Sequence, residues 1–124
     1  LVDSVNVLGL AAMEAAYGQC QDWRDAVRKT LAENRAILHR FLAEHLPETG
    51  CVPAEASFLA WIDLSAYRLN KPAAEWLLQH ARIGVSSGTD FGENLGGWIR
   101  LNFACAPETL AEALSRMARA LAKE

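Results

Sequence analysis

Trp23, Val27, Leu31, Leu38, Phe41, Leu42 and His45 recur at steps of three, four or seven. That spacing marks one face of an α-helix. Arg24, Arg28, Lys29, Glu33, Arg35 and Arg40 lie mostly off the stripe. The helix this predicts, over residues 22–45, would run roughly 35 Å. That is long for a chain of 124 residues, and it limits the remainder to a layer packed along it. Asp22 is the expected N-cap, and Pro47 and Gly50 end the helix. Beyond them the period changes. Residues 57–63 read as an aromatic-rich strand buried on both faces. Residues 72–81 read as a short helix with Pro in its first turn. A short strand is expected over 83–86, a glycine-containing loop over 87–97 and a second clear strand over 98–104. A closing helix over 107–122 carries the stripe Leu110, Ala113, Leu114, Met117, Ala118 and Leu121. The order fits an α+β layer, a short, mostly antiparallel sheet packed on helices.

Residues 4–17 pose a different problem. They are apolar on nearly every face of a helical turn. Such a helix needs burial on all sides, and one small domain can hardly surround its own first helix. It is expected to pack on a surface that this chain lacks, or on a second copy. The opening Leu1-Val2-Asp3-Ser4 reads as an internal start and not as a signal peptide. With 15 acids against 12 bases and a net charge of -3, nothing favours nucleic acid or an anionic membrane. The longest strongly apolar run falls far short of the ~20 residues of a membrane helix. Cys20, Cys51 and Cys105 are far apart and form no Cys-x-x-Cys pair, so a zinc site is not expected. They read as reduced, mostly buried thiols of a cytoplasmic protein. His39, His45 and His80 are scattered and read as packing or surface residues, and Trp23 and Trp76 as core.

The strand over 98–104 holds the residue with the most chemistry. Alternation turns Ile99, Leu101 and Phe103 to one face and Trp98, Arg100 and Asn102 to the other. An arginine among apolar neighbours needs a carboxylate or phosphate, which its planar fork grips with two parallel hydrogen bonds. An internal acid, Asp63 or Asp90, or plain solvent exposure would also satisfy it. The glycines of the 87–97 loop lack the Gly-Lys-Ser/Thr ending of a phosphate loop. They are expected to serve turns with positive φ, in a plain connector or in a loop bordering a cleft. No spacing links a serine and an acid to a histidine as a hydrolase triad requires.

Three stretches carry a resemblance. Pro53-Ala54-Glu55-Ala56-Ser57-Phe58-Leu59-Ala60-Trp61-Ile62-Asp63 resembles the P-x-E-G-[ST]-[YF]-L-x-W-[LI]-D stretch of pyridoxal-phosphate (PLP) enzymes of the class I/II aminotransferase superfamily. Val85-Ser86-Ser87-Gly88-Thr89-Asp90-Phe91-Gly92 and Trp98-Ile99-Arg100-Leu101-Asn102-Phe103-Ala104-Cys105 are similar to motifs of its cystathionine β-lyase branch, named after MalY and PatB. Asn6-Val7-Leu8-Gly9 and Glu14-Ala15-Ala16-Tyr17 resemble that branch too. Ala56 departs from the pattern, where Gly is common.

The resemblance implies the small C-terminal α+β domain of a fold-type I PLP enzyme, preceded by a long connector helix. Residues 1–20 would come from the end of the large domain, near a homodimer interface, and 21–124 would be the small domain. Arg100 would bind the α-carboxylate of an amino-acid substrate. Phe58, Ser87, Gly88 and Asn102 are the candidates for the active-site mouth. The family's Schiff-base lysine lies upstream in a Ser/His-Lys context. Lys29, Lys71 and Lys123 are the lysines here, and none has that context. The phosphate-binding residues and the Asp facing the pyridine nitrogen are also upstream, in a missing N-terminal large domain. The expected parent is a cytoplasmic C–S β-lyase acting on S-substituted cysteines, inactive when reduced to this stretch. Two alternatives stand beside it, a class I/II aminotransferase and a non-catalytic interaction module.

Overall fold

The computed structural model describes residues 6–122. The chain divides into two compact units, Leu1–Thr30 and Leu31–Glu124. No described helix is long and apolar enough to cross a membrane.

In the first unit, helix α1 spans Val7–Gln19. Asn6 caps it, its Oδ1 accepting from the Gly9 amide at 2.7 Å, which satisfies one of the free donors of a helix start. Residues 4 and 5 of the expected helix lie outside the described residues. Helix α2, Gln21–His45, begins at once after Cys20. Asp22 therefore sits in the first turn and is not the N-cap, though its charge still suits that end of the helix dipole. No residue from 6 to 30 is buried. Trp23, expected in the core, is 69% exposed, because its unit offers no packed layer to cover it.

The second unit is built on a four-stranded sheet of order β1-β2-β4-β3. The strands are β1 (Gly50–Cys51), β2 (Leu59–Asp63), β3 (Ser86–Ser87) and β4 (Trp98–Asn102). Every pairing is antiparallel. In the central pair Ala60 faces Leu101, Trp61 faces Arg100 and Ile62 faces Ile99. One face is buried through Ala60, Ile62, Ile99 and Leu101. It meets Leu38, Leu42 and Leu46 of α2 and its end, Trp76 and Leu77 of α3 (Ala73–His80), and Leu110, Leu114, Met117 and Leu121 of α4 (Pro107–Leu121). The other face, with Leu59, Trp61, Asp63, Trp98 and Arg100, is half-buried. β2 is thus not buried on both faces as its composition suggested. Its aromatic residue is covered by other aromatic side chains of the same face and not by a helix layer.

The observed strands are shorter than expected. β3 starts at Ser86, the last residue of the 83–86 segment predicted for it, and β4 stops at Asn102, whose Oδ1 accepts from the Ala104 amide at 2.8 Å and turns the chain. α4 begins at Pro107, which has no amide proton to leave unsatisfied. Arg116 of α4 donates from Nε to the Ala81 carbonyl at 2.9 Å and from Nη2 to the Arg82 carbonyl, holding the end of α3. His80 stacks on Trp76 with ring centres 4.4 Å apart.

Asn34 is the polar member of the buried α2 stripe. Its Nδ2 donates to the Phe103 carbonyl at 2.9 Å and to the Cys105 carbonyl at 2.8 Å. These two bonds fasten α2 to the chain leaving β4. The three cysteines are free, Cys20 exposed and Cys51 and Cys105 half-buried, which corrects the expectation of mostly buried thiols. Burial pushes the Cys51 thiol pKa up, by disfavouring the charged thiolate. Among the described residues no cluster of His, Cys, Asp or Glu could hold a metal.

Two outcomes follow from this packing. Asn34→Ala strands the buried Phe103 carbonyl and the half-buried Cys105 carbonyl and is expected to cost about 2–4 kcal/mol in urea unfolding; Asn34→Asp, which sets an acceptor against both carbonyls, should cost more. Hydrogen exchange read by mass spectrometry should show the α1 amides exchanging far faster than those of α4, since α1 has no buried residue.

Candidate functional site

Arg100 projects from the middle of β4 on the half-buried face. Its cross-strand neighbours are Trp61 on β2 and Ser86 on β3. Its Nη2 donates to Ser86 Oγ at 3.3 Å, a long bond. Its Cζ lies 4.7 Å from the centre of the Phe91 ring, a cation–π contact. Trp61 meets Phe91 edge-on, with ring centres 5.3 Å apart, and stacks on Trp98 at 5.6 Å. One aromatic cluster on this face therefore ends at the guanidinium.

Among the described residues no carboxylate pairs with Arg100. Asp63 is occupied otherwise, its Oδ1 accepting from the Ser65 amide at 2.8 Å. Asp90 forms no ion pair among them either. The internal-acid explanation of this arginine is thereby removed. A guanidinium carries five N–H donors, and a half-buried one with a single hydroxyl partner keeps most of them for a ligand. A planar carboxylate matches that free fork in shape and charge.

The loop between β3 and β4 places Phe91. Ser87 caps a short 3-10 turn over Gly88–Asp90, its Oγ contacting Thr89 Oγ1 at 2.8 Å. The Phe91 amide then donates to the Gly88 carbonyl at 2.9 Å. Gly88 is buried, and a Cβ there would overlap the Leu95 carbonyl oxygen and Trp98. Gly97 is equally confined by Ser65. No glycine has positive φ among the described residues. The expectation that the loop glycines serve left-handed turns is therefore wrong. Those that matter are glycines because backbone passes too close for a side chain.

Of the other expected site residues, Phe58 is 43% exposed just before β2. Asn102 is exposed at the end of β4, and Ser87 is half-buried in β3. Ser57, next to the unusual Ala56, takes φ 74°, a left-handed conformation that glycine tolerates best. Phe91, Trp61 and Ser86 were not singled out from sequence. Alternation alone puts Trp61 and Trp98 on an outer face like that of Arg100, but only the register shows that they converge.

No family model matches the chain. Curated relatives do. The cystathionine β-lyase PatB of Bacillus subtilis is 31% identical over 94% of this chain and 30% of its own length. The relatives of this chain include cystathionine β-lyases and PLP-dependent C–S lyases. The PLP-bound C–S lyase of Staphylococcus hominis superposes with a TM-score of 0.89 at 30% identity, over 96% of this chain and 32% of that one. The crystal structure of OvoB is 40% identical, with a TM-score of 0.87 over all of this chain and 31% of that one. Aminotransferases are among the homologues as well. The chain spans about a third of the length of the curated relatives it matches. The α+β unit with its antiparallel sheet is similar in fold to about a third of such a fold-type I PLP enzyme.

Because Gly88 carries the turn that sets Phe91, Gly88→Ala is expected to lose about 1–3 kcal/mol through overpacking. Chemical denaturation checks it, and Gly92→Ala, facing only the Leu95 side chain, should lose less.

Proposed function

We propose that this chain is the substrate-carboxylate-binding part of a PLP-dependent C–S β-lyase of the cystathionine β-lyase type. One observation carries the proposal: Arg100 is a half-buried guanidinium with no acid partner among the described residues. The homologues support the lyase assignment. In this reading the parent converts an S-substituted cysteine and one water into a thiol, pyruvate and ammonia.

The residues described here fit the substrate's carboxylate and do not fit the cofactor's attachment. Lys71 is engaged with Glu75 Oε1 and Gln79 Oε1, both at 3.0 Å. Lys29 stands in the first unit. PLP, held by the rest of the parent, supplies the electron sink for chemistry at Cα. What this stretch adds is orientation. Two parallel bonds from Arg100 to the carboxylate would fix one substituent of Cα and so limit how the others point. The aromatic cluster covers one side of the guanidinium and keeps water from that side, which strengthens the pairing. Phe58, Ser87, Gly88 and Asn102 border this face in the proposal and form the mouth of the site. By itself the stretch is inactive.

The placement of the remaining parts belongs to the same proposal. Residues 1–20 come from the end of a large domain and pack against it and a second protomer. The exposed Val7, Leu8 and Tyr17 of α1 support this, since an apolar face of this kind needs cover. Three free cysteines suit a reducing compartment such as the cytoplasm. The aminotransferase homologues favour a second reading, in which Arg100 keeps its role and the amino group passes to a keto acid. Pyruvate release without a keto-acid acceptor separates the two.

In the full-length parent, Arg100→Ala is expected to lower kcat/KM for the amino acid roughly 100-fold or more. The absorbance of bound PLP should stay unchanged. A variant that loses that absorbance would show Arg100 holding the cofactor or the fold, and the carboxylate role would fall.

A further inference from the structure

Resting on the carboxylate reading above, we infer that Phe91 is the positioning residue for Arg100. Its ring holds the guanidinium in the plane in which a substrate carboxylate meets both arms of the fork.

An arginine side chain has four rotatable bonds and loses entropy when held in one pose. Most buried arginines are held by an acid, but an acid here would occupy the donors the ligand needs. Among the described residues Arg100 is held without one. The Ser86 hydroxyl takes a single donor at 3.3 Å. The Phe91 ring, over which Cζ lies at 4.7 Å from the centre, attracts the cation through its π face and offers no lone pair to take a donor. A ring is suited to this role only if it is fixed itself. Trp61 abuts Phe91 edge-on and is backed by Trp98, and the turn through buried Gly88 sets the Phe91 backbone. Phe91 is nevertheless 50% exposed. The part of the ring that this chain covers meets Arg100 and Trp61.

The test uses the full-length parent with PLP bound and measures equilibrium affinity rather than turnover. The probes are L-alanine, which has no thiol to eliminate, and ethylamine, the same molecule without its carboxylate. Arg100→Ala serves as reference and should weaken the first probe selectively. Phe91→Leu keeps an apolar side chain against Trp61 but removes the π face. It should weaken the amino acid roughly three- to tenfold and leave the amine unchanged. Phe91→Tyr, which restores the ring, should bind both probes as the unmodified protein does. If Arg100→Ala discriminates between the probes and Phe91→Leu weakens both equally or neither, the positioning role is wrong while the carboxylate site stands. If Arg100→Ala itself does not discriminate, the carboxylate site is wrong and the role of Phe91 falls with it.

Discussion

The pairing of β2 with β4 is the constraint on which the second unit depends. A single register puts Ala60 against Leu101 and Ile62 against Ile99 on the face that meets the helices. The same register puts Trp61 opposite Arg100 on the other face. Side chains alternate with a period of two, so a slip by one residue would expose the apolar set and bury the guanidinium. The cost of burying that charge without an acid and the gain from burying Ile62 and Ile99 favour the same alignment. Core and site are two sides of one decision. This is why a short sheet can hold a precise binding group: the strand carrying Arg100 is braced by a strand on either side.

The connection between the long helix and the sheet is of another kind. Leu38 and Leu42 supply undirected apolar burial, which would tolerate some sliding of α2. Asn34 does not, because its amide must reach the carbonyls of Phe103 and Cys105 together. Those carbonyls belong to the chain that has just left β4, where no strand partner serves them. The cost is an amide oxygen, Asn34 Oδ1, left without a partner among the described residues. One polar side chain in an apolar stripe thus sets the position of the helix along the sheet, where leucines alone set only its distance.

Much of this was legible in the order of residues. The helix stripes, the prolines that begin α4 and end α2, and the outward side of Arg100 rest on local periodicity. Trp23 shows where that ends. It continues the stripe of α2 in perfect step, yet it lies exposed in the first unit, since periodicity says which face is apolar and not how far the cover extends. The loop glycines show a second limit. Gly88 and a glycine in a left-handed turn look alike in sequence, but the confinement at Gly88 comes from Leu95 and Trp98, several residues away. Ser57, in contrast, takes the left-handed conformation where no glycine stands.

The partners of Arg100 divide along the same line. That β4 would turn an arginine away from the core was set by the sequence itself, because alternation along a strand needs no knowledge of the fold. That no acid among the described residues would meet it was decided by tertiary structure. Asp63 and Asp90 were both available, and the turn at Ser65 engaged the first. That Phe91 would lie against it was decided there too, by a loop whose path depends on backbone packed at Gly88 and on the edge of Trp61. A sequence lists the groups that a charge could meet. Which of them it meets depends on distances between segments far apart in the chain, and those exist only after the sheet has closed in its register.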